Sequence, residues 1–505
     1  MKIIQIVKLR SFALFVLSLF CFIPHFISAQ TGTSSPYSRY GIGDLSGKGY
    51  SQGFALGGTH IAMQNDSTQM FFINSGNPAS YSNIRLTTIE LGANYVRNRL
   101  ESTAFNKTIN NASLGYISLA FPLKKWWGAS IGLVPYSSVG YNISDRQEIY
   151  QVGTVDFLYE GTGGVNQVYF GNGIKPFYGL PRMYARSAKY KALMSPRKAD
   201  NTLKTAQELS NDKAAVRAVM KRKKAMQGLS LGVNASYLFG GYENTRRSIF
   251  DPANYSFNTR ARTTTRVSDF YMDYGLQYSF LIDSVKTKDS TGRVYKRDLR
   301  DNVKFTFGAT FAAQTDINAK IDTLSVSYFY SSTGNEIVKD TIELSSNTKG
   351  SIKFPLSFGF GLGFKKGDRW MVAADFALQN WSTYTAFNQS QGLKNSMRVS
   401  LGIQYVPDAK ANASYPKRIH YRVGGRFAQT ALELKSTQLT EMAASFGVGF
   451  PVGRNYLLQN FSMVNIGVEL GKRGTIDSGL IQENFFKATI GFTINDRWFV
   501  KPKFD

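Results

Sequence analysis

Cysteine is almost missing from this 505-residue sequence. Cys21 stands alone, so neither a disulfide framework nor a thiolate zinc cluster can form. Acidic residues are also few, 34 Asp and Glu against 60 Lys and Arg, and the formal net charge is +26. The three histidines join no His/Asp/Glu grouping with metal-ligand spacing, and no metal or other cofactor is expected. Beyond residue 30, no apolar run reaches the roughly 18 residues of a membrane helix. Charged residues make up only 19% and aromatics 14%, too aromatic and structured a balance for a disordered chain.

What is present begins with an address. Lys2, Lys8 and Arg10 precede an apolar run at 11–26, and Ile27-Ser28-Ala29 ends on a small residue. This pattern predicts a secretory signal peptide over residues 1–29. A lipoprotein reading through Cys21 fails because Phe20 stands where a small residue is required.

From about residue 85 onward, apolar residues alternate with small or polar ones. Leu356, Phe358, Phe360, Leu362 and Phe364 share a face opposite Ser357, Gly359, Gly361 and Gly363. Ala488, Ile490, Phe492 and Ile494 oppose Lys487, Thr489, Gly491 and Thr493. Period 2 is the signature of strands. Large apolar residues on one face, with Gly or charge on the other, fit a wall between lipid and a lumen. Closure leaves no unpaired edge in hydrocarbon. The fold class predicted is therefore all-β: a closed antiparallel transmembrane β-barrel of about fourteen strands over residues 85–494, in the cell outer membrane. Residues 495–505 are expected to form a periplasmic tail.

Within that barrel, strands are expected at 128–138, 163–175, 228–239, 265–281, 302–315 and 350–364, with long outer loops near 240–264 and 316–349. Trp126, Trp127, Trp370 and Trp498 fall beside the inner turns, as in an aromatic girdle. Residues 176–227 interrupt the short inner turns with 13 Lys and Arg against Asp200, Glu208 and Asp212. They read as a basic periplasmic insertion with a helix over 211–227, capped by Ser210 or Asn211. Such charge suits a solvated excursion, anionic head groups, or an outer-membrane or periplasmic protein partner. Nucleic acid is not an expected partner for an exported barrel.

Residues 30–84 do not alternate. They set Gly53, Gly57 and Gly58 among Phe54, Leu56, Ile61, Met63, Phe71 and Phe72, too apolar a mixture for a free tail. An N-terminal plug inside the barrel would bury it. The stretch Ala55-Leu56-Gly57-Gly58-Thr59-His60-Ile61-Ala62, followed by Asn65-Asp66-Ser67 and Asn77-Pro78-Ala79, resembles the FadL-type outer-membrane transport family. Gly132-Leu133-Val134-Pro135-Tyr136 and Gly161-Thr162-Gly163-Gly164-Val165-Asn166-Gln167 extend the resemblance. It implies an N-terminal hatch before fourteen strands, with passive uptake of long-chain fatty acids or other hydrophobic small molecules. It also implies a ligand held against Phe54, Leu56, Ile61, Met63, Phe71 and Phe72. Two departures are the four residues between Phe72 and Asn77 and the size of the 176–227 insertion.

Pro135 has no N–H for a ladder and belongs at an edge or a bulge. With Gly161, Gly163 and Gly164 on the next strand, it predicts a lateral opening through which a ligand would leave toward the membrane lipids. Gly128-Ala129-Ser130-Ile131-Gly132 fits the nucleophile-elbow pattern but sits inside an alternating strand, not at a strand–turn–helix junction. No catalytic residues are assigned. Hydrophobic uptake through hatch and lateral exit is one reading of function. The alternative is a non-transporting barrel serving as a structural or interaction subunit of an outer-membrane secretion or protein-assembly complex.

Overall fold

The computed structural model describes residues 33–65, 72–103, 105–198, 202–251, 257–282, 287–288, 294–295, 303–408, 413–455, 460–496 and 498. The predicted signal peptide, Phe71 and most of the expected tail lie outside them.

Fourteen strands make the wall. They are β1 (Thr87–Glu101), β2 (Asn106–Lys124), β3 (Trp127–Ile149), β4 (Gly153–Ile174), β5 (Leu229–Phe250) and β6 (Asn258–Ile282). Then come β7 (Val303–Ala312 and Thr315–Tyr330), β8 (Glu336–Phe354 and Ser357–Lys366), β9 (Trp370–Gln379) and β10 (Ser396–Tyr405). The set ends with β11 (His420–Leu434), β12 (Thr437–Asn455), β13 (Asn460–Arg473) and β14 (Gln482–Asp496). Each pairs antiparallel with its neighbour. β1 meets β14 from Thr87↔Asp496 to Glu101↔Gln482, which closes the cylinder. The alternation holds in space: Phe358, Phe360 and Leu362 point outward while Gly359 and Gly361 are buried against the interior.

The outer half departs from expectation. Residues near 240–264 and 316–349 are largely strand, not loop. β5 and β6 stay paired to Ser248↔Thr259, and β7 with the outer part of β8 runs to a hairpin at Tyr330↔Glu336. β3–β8 thus rise as a ribbon of strands above the short β9 and β10. The outward face of this ribbon is polar, with Asp316, Asn318 and Lys320 exposed while Ile317, Ala319, Val326 and Tyr328 are buried on the other, so its sequence lacks the row of large outward apolar residues that marks the spanning segments. β7 and β8 are broken side by side, at residues 313–314 and 355–356. Pro355, which lacks a ladder N–H, explains the break in β8.

At the inner end, residues 176–227 form three helices: α1 (Leu180–Arg186), α2 (Ala188–Met194) and α3 (Ala206–Met226). Helix α3 begins five residues earlier than the basic run suggested. Thr205, not Ser210 or Asn211, caps it in a capping box with Glu208. The signal was a Thr-x-x-Glu that begins six residues upstream of the expected start.

Candidate functional site

The lumen is occupied by residues 33–65 and 72–86. A one-turn helix, Ser51–Phe54, leads into a glycine turn, and a 3-10 turn, Pro78–Asn83, ends the segment. Asn77 caps that turn by accepting the N–H of Ala79, and Pro78 suits the first helical position. The Asn77 amide donates to the carbonyl oxygen of Ile61 at 2.7 Å. Gln277 of β6 donates to the carbonyl oxygens of Ile61 and Met63 at 2.9 and 3.1 Å. Asn74 donates to those of His60 and Met63. Buried polar backbone is thereby satisfied from wall and hatch together.

Asp375 of β9 supplies the complementary contact. Its Oδ2 accepts the backbone N–H groups of His60 at 2.6 Å and Ile61 at 2.9 Å. A carboxylate facing two adjacent amides is a charge-assisted clamp. Asp375 and His60 lie 315 residues apart in the chain, a pairing that no local pattern in the sequence shows.

Wall glycines let the hatch backbone touch the wall backbone. A Cβ added to Gly57 would lie 2.6 Å from the carbonyl oxygen of Gly425. One added to Gly402 would lie 2.5 Å from the carbonyl oxygen of Leu56. Gly173, Gly308 and Gly361 meet Pro78, Ile61 and Ala62 with the same closeness. Leu56, Ile61 and Met63 are buried in this contact, whereas Phe54, set against Gly467, and Phe72 are half-buried. Gly57 and Gly58 both adopt positive φ, the conformation a left-handed turn requires. Gly58 is half-exposed, and Asn77, Pro78 and Ala79 are buried.

A gap in the wall lies beside Pro135. The β2–β3 ladder ends at Ile117↔Leu133, although β2 continues outward along β1 and β3 continues to Ile149. Pro135 starts a bulge against β4, which sends Tyr136 inward to stack on Phe354 at 5.5 Å between ring centres. Gly163 and Gly164 pair with Val139 and Ser138, and Gly161 with Tyr141. Gly163 has φ +109.

The N-terminal segment fills this gap. A two-residue strand, Asp44–Leu45, pairs with Ser138 and Ser137 on the free edge of β3. Ser46 N–H donates to the carbonyl oxygen of Tyr136 at 2.9 Å. The Ser38 hydroxyl both donates to the carbonyl oxygen and accepts the N–H of Gly140. On the β2 side, the Ser34 hydroxyl meets the Asn111 amide at 2.5 Å. Arg473 of β13 ties the segment down, pairing with Asp44 at 2.9 Å and Glu483 at 2.7 Å and donating to Ser35. None of Ser34, Asp44, Arg473 or Glu483 carried a sequence signal, because their contacts join the two ends of the chain.

Charges of both signs on the lumen face meet as pairs. Arg426 bridges Glu441 at 2.6 Å and Glu469, and Lys487 lies 3.9 Å from Glu469. Arg422 donates to Gln404 and Asn465, both at 2.8 Å. Ser130 lies within β3, buried, its hydroxyl donating to the carbonyl oxygen of Leu119 and meeting the Tyr169 hydroxyl.

The BamG family model matches residues 11–181 and 287–505. Comparison with curated protein sequences returned no match. Among solved structures, a Pseudomonas aeruginosa FadL homologue is 9% identical, with a TM-score of 0.47 over 90% of this chain and 99% of that one. The Pseudomonas putida toluene transporter TodX is 13% identical, with a TM-score of 0.42 over 91% and 100%. The monoaromatic hydrocarbon channel CymD is 11% identical, with a TM-score of 0.47 over 91% and 99%. With most of its length under one family model, the chain belongs to the BamG family.

Proposed function

We propose that this protein works through its outer surfaces, as a closed barrel subunit of an outer-membrane protein-assembly or secretion complex. The observation that carries this reading is the double closure made by one segment. Residues 50–65 and 72–84 lie backbone to backbone against wall glycines, and Ser34–Ser46 hydrogen-bonds along the free edge of β3. Opening either route would separate several buried hydrogen bonds and the Arg473 ion pairs, each costly to leave unpaired. Meanwhile the projecting part of β8 has an edge that, among the described residues, is paired only at Ile352 and Lys353. Ile337, Val338, Ile342 and Leu344 are exposed there. An unpaired edge with apolar side chains is a ready surface for another chain.

A second reading, passive uptake of a hydrophobic small molecule, is favoured by the early end of the β2–β3 ladder. It would use Pro135, Gly161, Gly163 and Gly164 as the lateral opening. The ligand would rest on the half-buried Phe54 and Phe72, beside Leu56, Ile61 and Met63.

The test is purification from native membranes in mild detergent, coupled to uptake of labelled palmitate by reconstituted proteoliposomes. The proposal expects a complex larger than the monomer, with outer-membrane proteins in fixed stoichiometry, and no uptake above protein-free vesicles. A monomer that moves palmitate would overturn it in favour of the second reading.

A further inference from the structure

The outward face of β1, β13 and β14 changes character abruptly toward the outer end. On β14, Ile494, Phe492, Ile490, Ala488 and Phe486 occupy five successive outward positions. The next outward residues are Asn484 on β14, Arg97 and Arg99 on β1, and Lys472 on β13. Register fixes the arrangement: Leu470 and Arg97 flank Phe486, while Lys472 and Arg99 flank Asn484. Strand spacing puts Lys472 and Arg99 about 10 Å apart at their backbones, with Arg97 and Arg99 about 7 Å apart along β1. Beside Arg97 and Arg99 lies a groove of about 550 Å³ whose lining includes Tyr95, Leu470, Asn484 and Phe486.

One carboxylate, that of Glu101, meets this row. Glu101 holds Arg99 at 2.7 Å and accepts from Asn484 at 2.8 Å. Among the described residues, Arg97 and Lys472 have no acidic partner. Arg97 and Lys472, without counter-charge among the described residues at the upper border of an apolar wall, match an amphiphile with anionic head and acyl tails. The head would meet Arg97, Arg99 and Lys472. One tail would run down over Leu470, Phe486 and Tyr95. A spacing of about 7–10 Å between cations suits separate phosphates on one head group better than a single phosphate.

We infer that this groove binds the phosphorylated glycolipid of the outer leaflet, a lipid A-type molecule, on the outside of the barrel. The site lies on the opposite face of the wall from the seam anchors Arg473 and Glu483 and does not depend on whether the lumen conducts.

The test adds diphosphoryl lipid A to the purified full-length chain and reads bound lipid by native mass spectrometry. Cardiolipin, a phosphate lipid without the sugar, runs in parallel. The double variant Arg97→Gln/Lys472→Gln should retain at least about ten-fold less lipid A, since charge-assisted contacts are lost. Lys339→Gln, on the projecting ribbon, should retain as much as the parent. Heat-modifiable migration on gels verifies that each variant is folded. Equal lipid A retention by the folded double variant would overturn the site. Cardiolipin held as tightly as lipid A would overturn the glycolipid assignment.

Discussion

Asp375 holds the hatch by its own backbone: one carboxylate oxygen accepts the adjacent N–H groups of His60 and Ile61. Asp375→Ala would leave two buried donors unpaired, at about 2–4 kcal/mol. Amide hydrogen exchange at His60 and Ile61 should accelerate by roughly 30-fold or more, since each 1.4 kcal/mol is tenfold. Asp375→Asn keeps a carbonyl acceptor and should lose about half as much. Unchanged exchange in the folded Ala variant would show that Gln277 and Asn77 hold the loop without it.

The neighbouring glycines separate two effects. Gly57 and Gly58 have φ of +71 and +82, yet a Cβ on Gly58 meets nothing within 4 Å. Gly58→Ala therefore pays only for the left-handed backbone, about 1 kcal/mol. Gly57→Ala adds the collision with Gly425, a further 1–3 kcal/mol or so by analogy with overpacked cores. Thermal melts should rank the parent first, Gly58→Ala second and Gly57→Ala lowest. Equal melting of the two variants would mean that the hatch can withdraw from the wall.

Alternation made the fourteen spanning strands legible because each has lipid on one side and polar or small residues on the other. The same rule missed residues 241–250 and 316–349, where the outward residues are polar, as at Asp316, Asn318 and Lys320, and the buried face carries Tyr242, Ile317, Val326 and Tyr328. The hatch was visible through its apolar residues and glycines. Its anchors were not, because Asp375 and Arg473 act on backbone or on residues hundreds of positions distant. Pro135 marked the end of the β2–β3 ladder through chemistry alone, as a missing N–H. That Asp44 and Leu45 would fill the vacant edge had no counterpart in the sequence, since a two-residue strand carries no period.

The cap of α3 should show in acid. The Glu208 carboxyl is held down to about 2 by Lys198 and by the Thr205 N–H, from an ordinary value of 4.5. Because the folded value is depressed, its contribution is complete above about pH 4.5 and is lost as pH falls toward 2. Amide protection at Thr205 should stay flat from pH 7 to 5 and fall below about pH 4. Thr205→Ala should cost the helix about 1 kcal/mol at neutral pH. A protection profile that is level down to pH 2 would show that Glu208 does not hold the cap.

The seam decides between the two functional readings. Leu45 and Ser137 are register partners across the gap, and paired Cβ atoms in such ladders stand about 4.5–5.5 Å apart, within reach of a disulfide after small adjustment. Leu45→Cys/Ser137→Cys is made together with Cys21→Ser, so that no competing thiol is present. With the bridge formed, the N-terminal segment cannot leave the edge of β3. A barrel that works through its outer surfaces should assemble with its partners as the parent does, bridged or reduced. A conduit that empties sideways should lose uptake when bridged and regain it on reduction. Arg473→Ala gives the converse perturbation. It leaves Asp44 and Glu483 without their shared cation, at about 3–5 kcal/mol, and should expose Arg39 to trypsin. Rapid cleavage at Arg39 with assembly intact would show that the closed seam is dispensable for assembly, while loss of assembly on release would make the closed seam part of the contact surface itself.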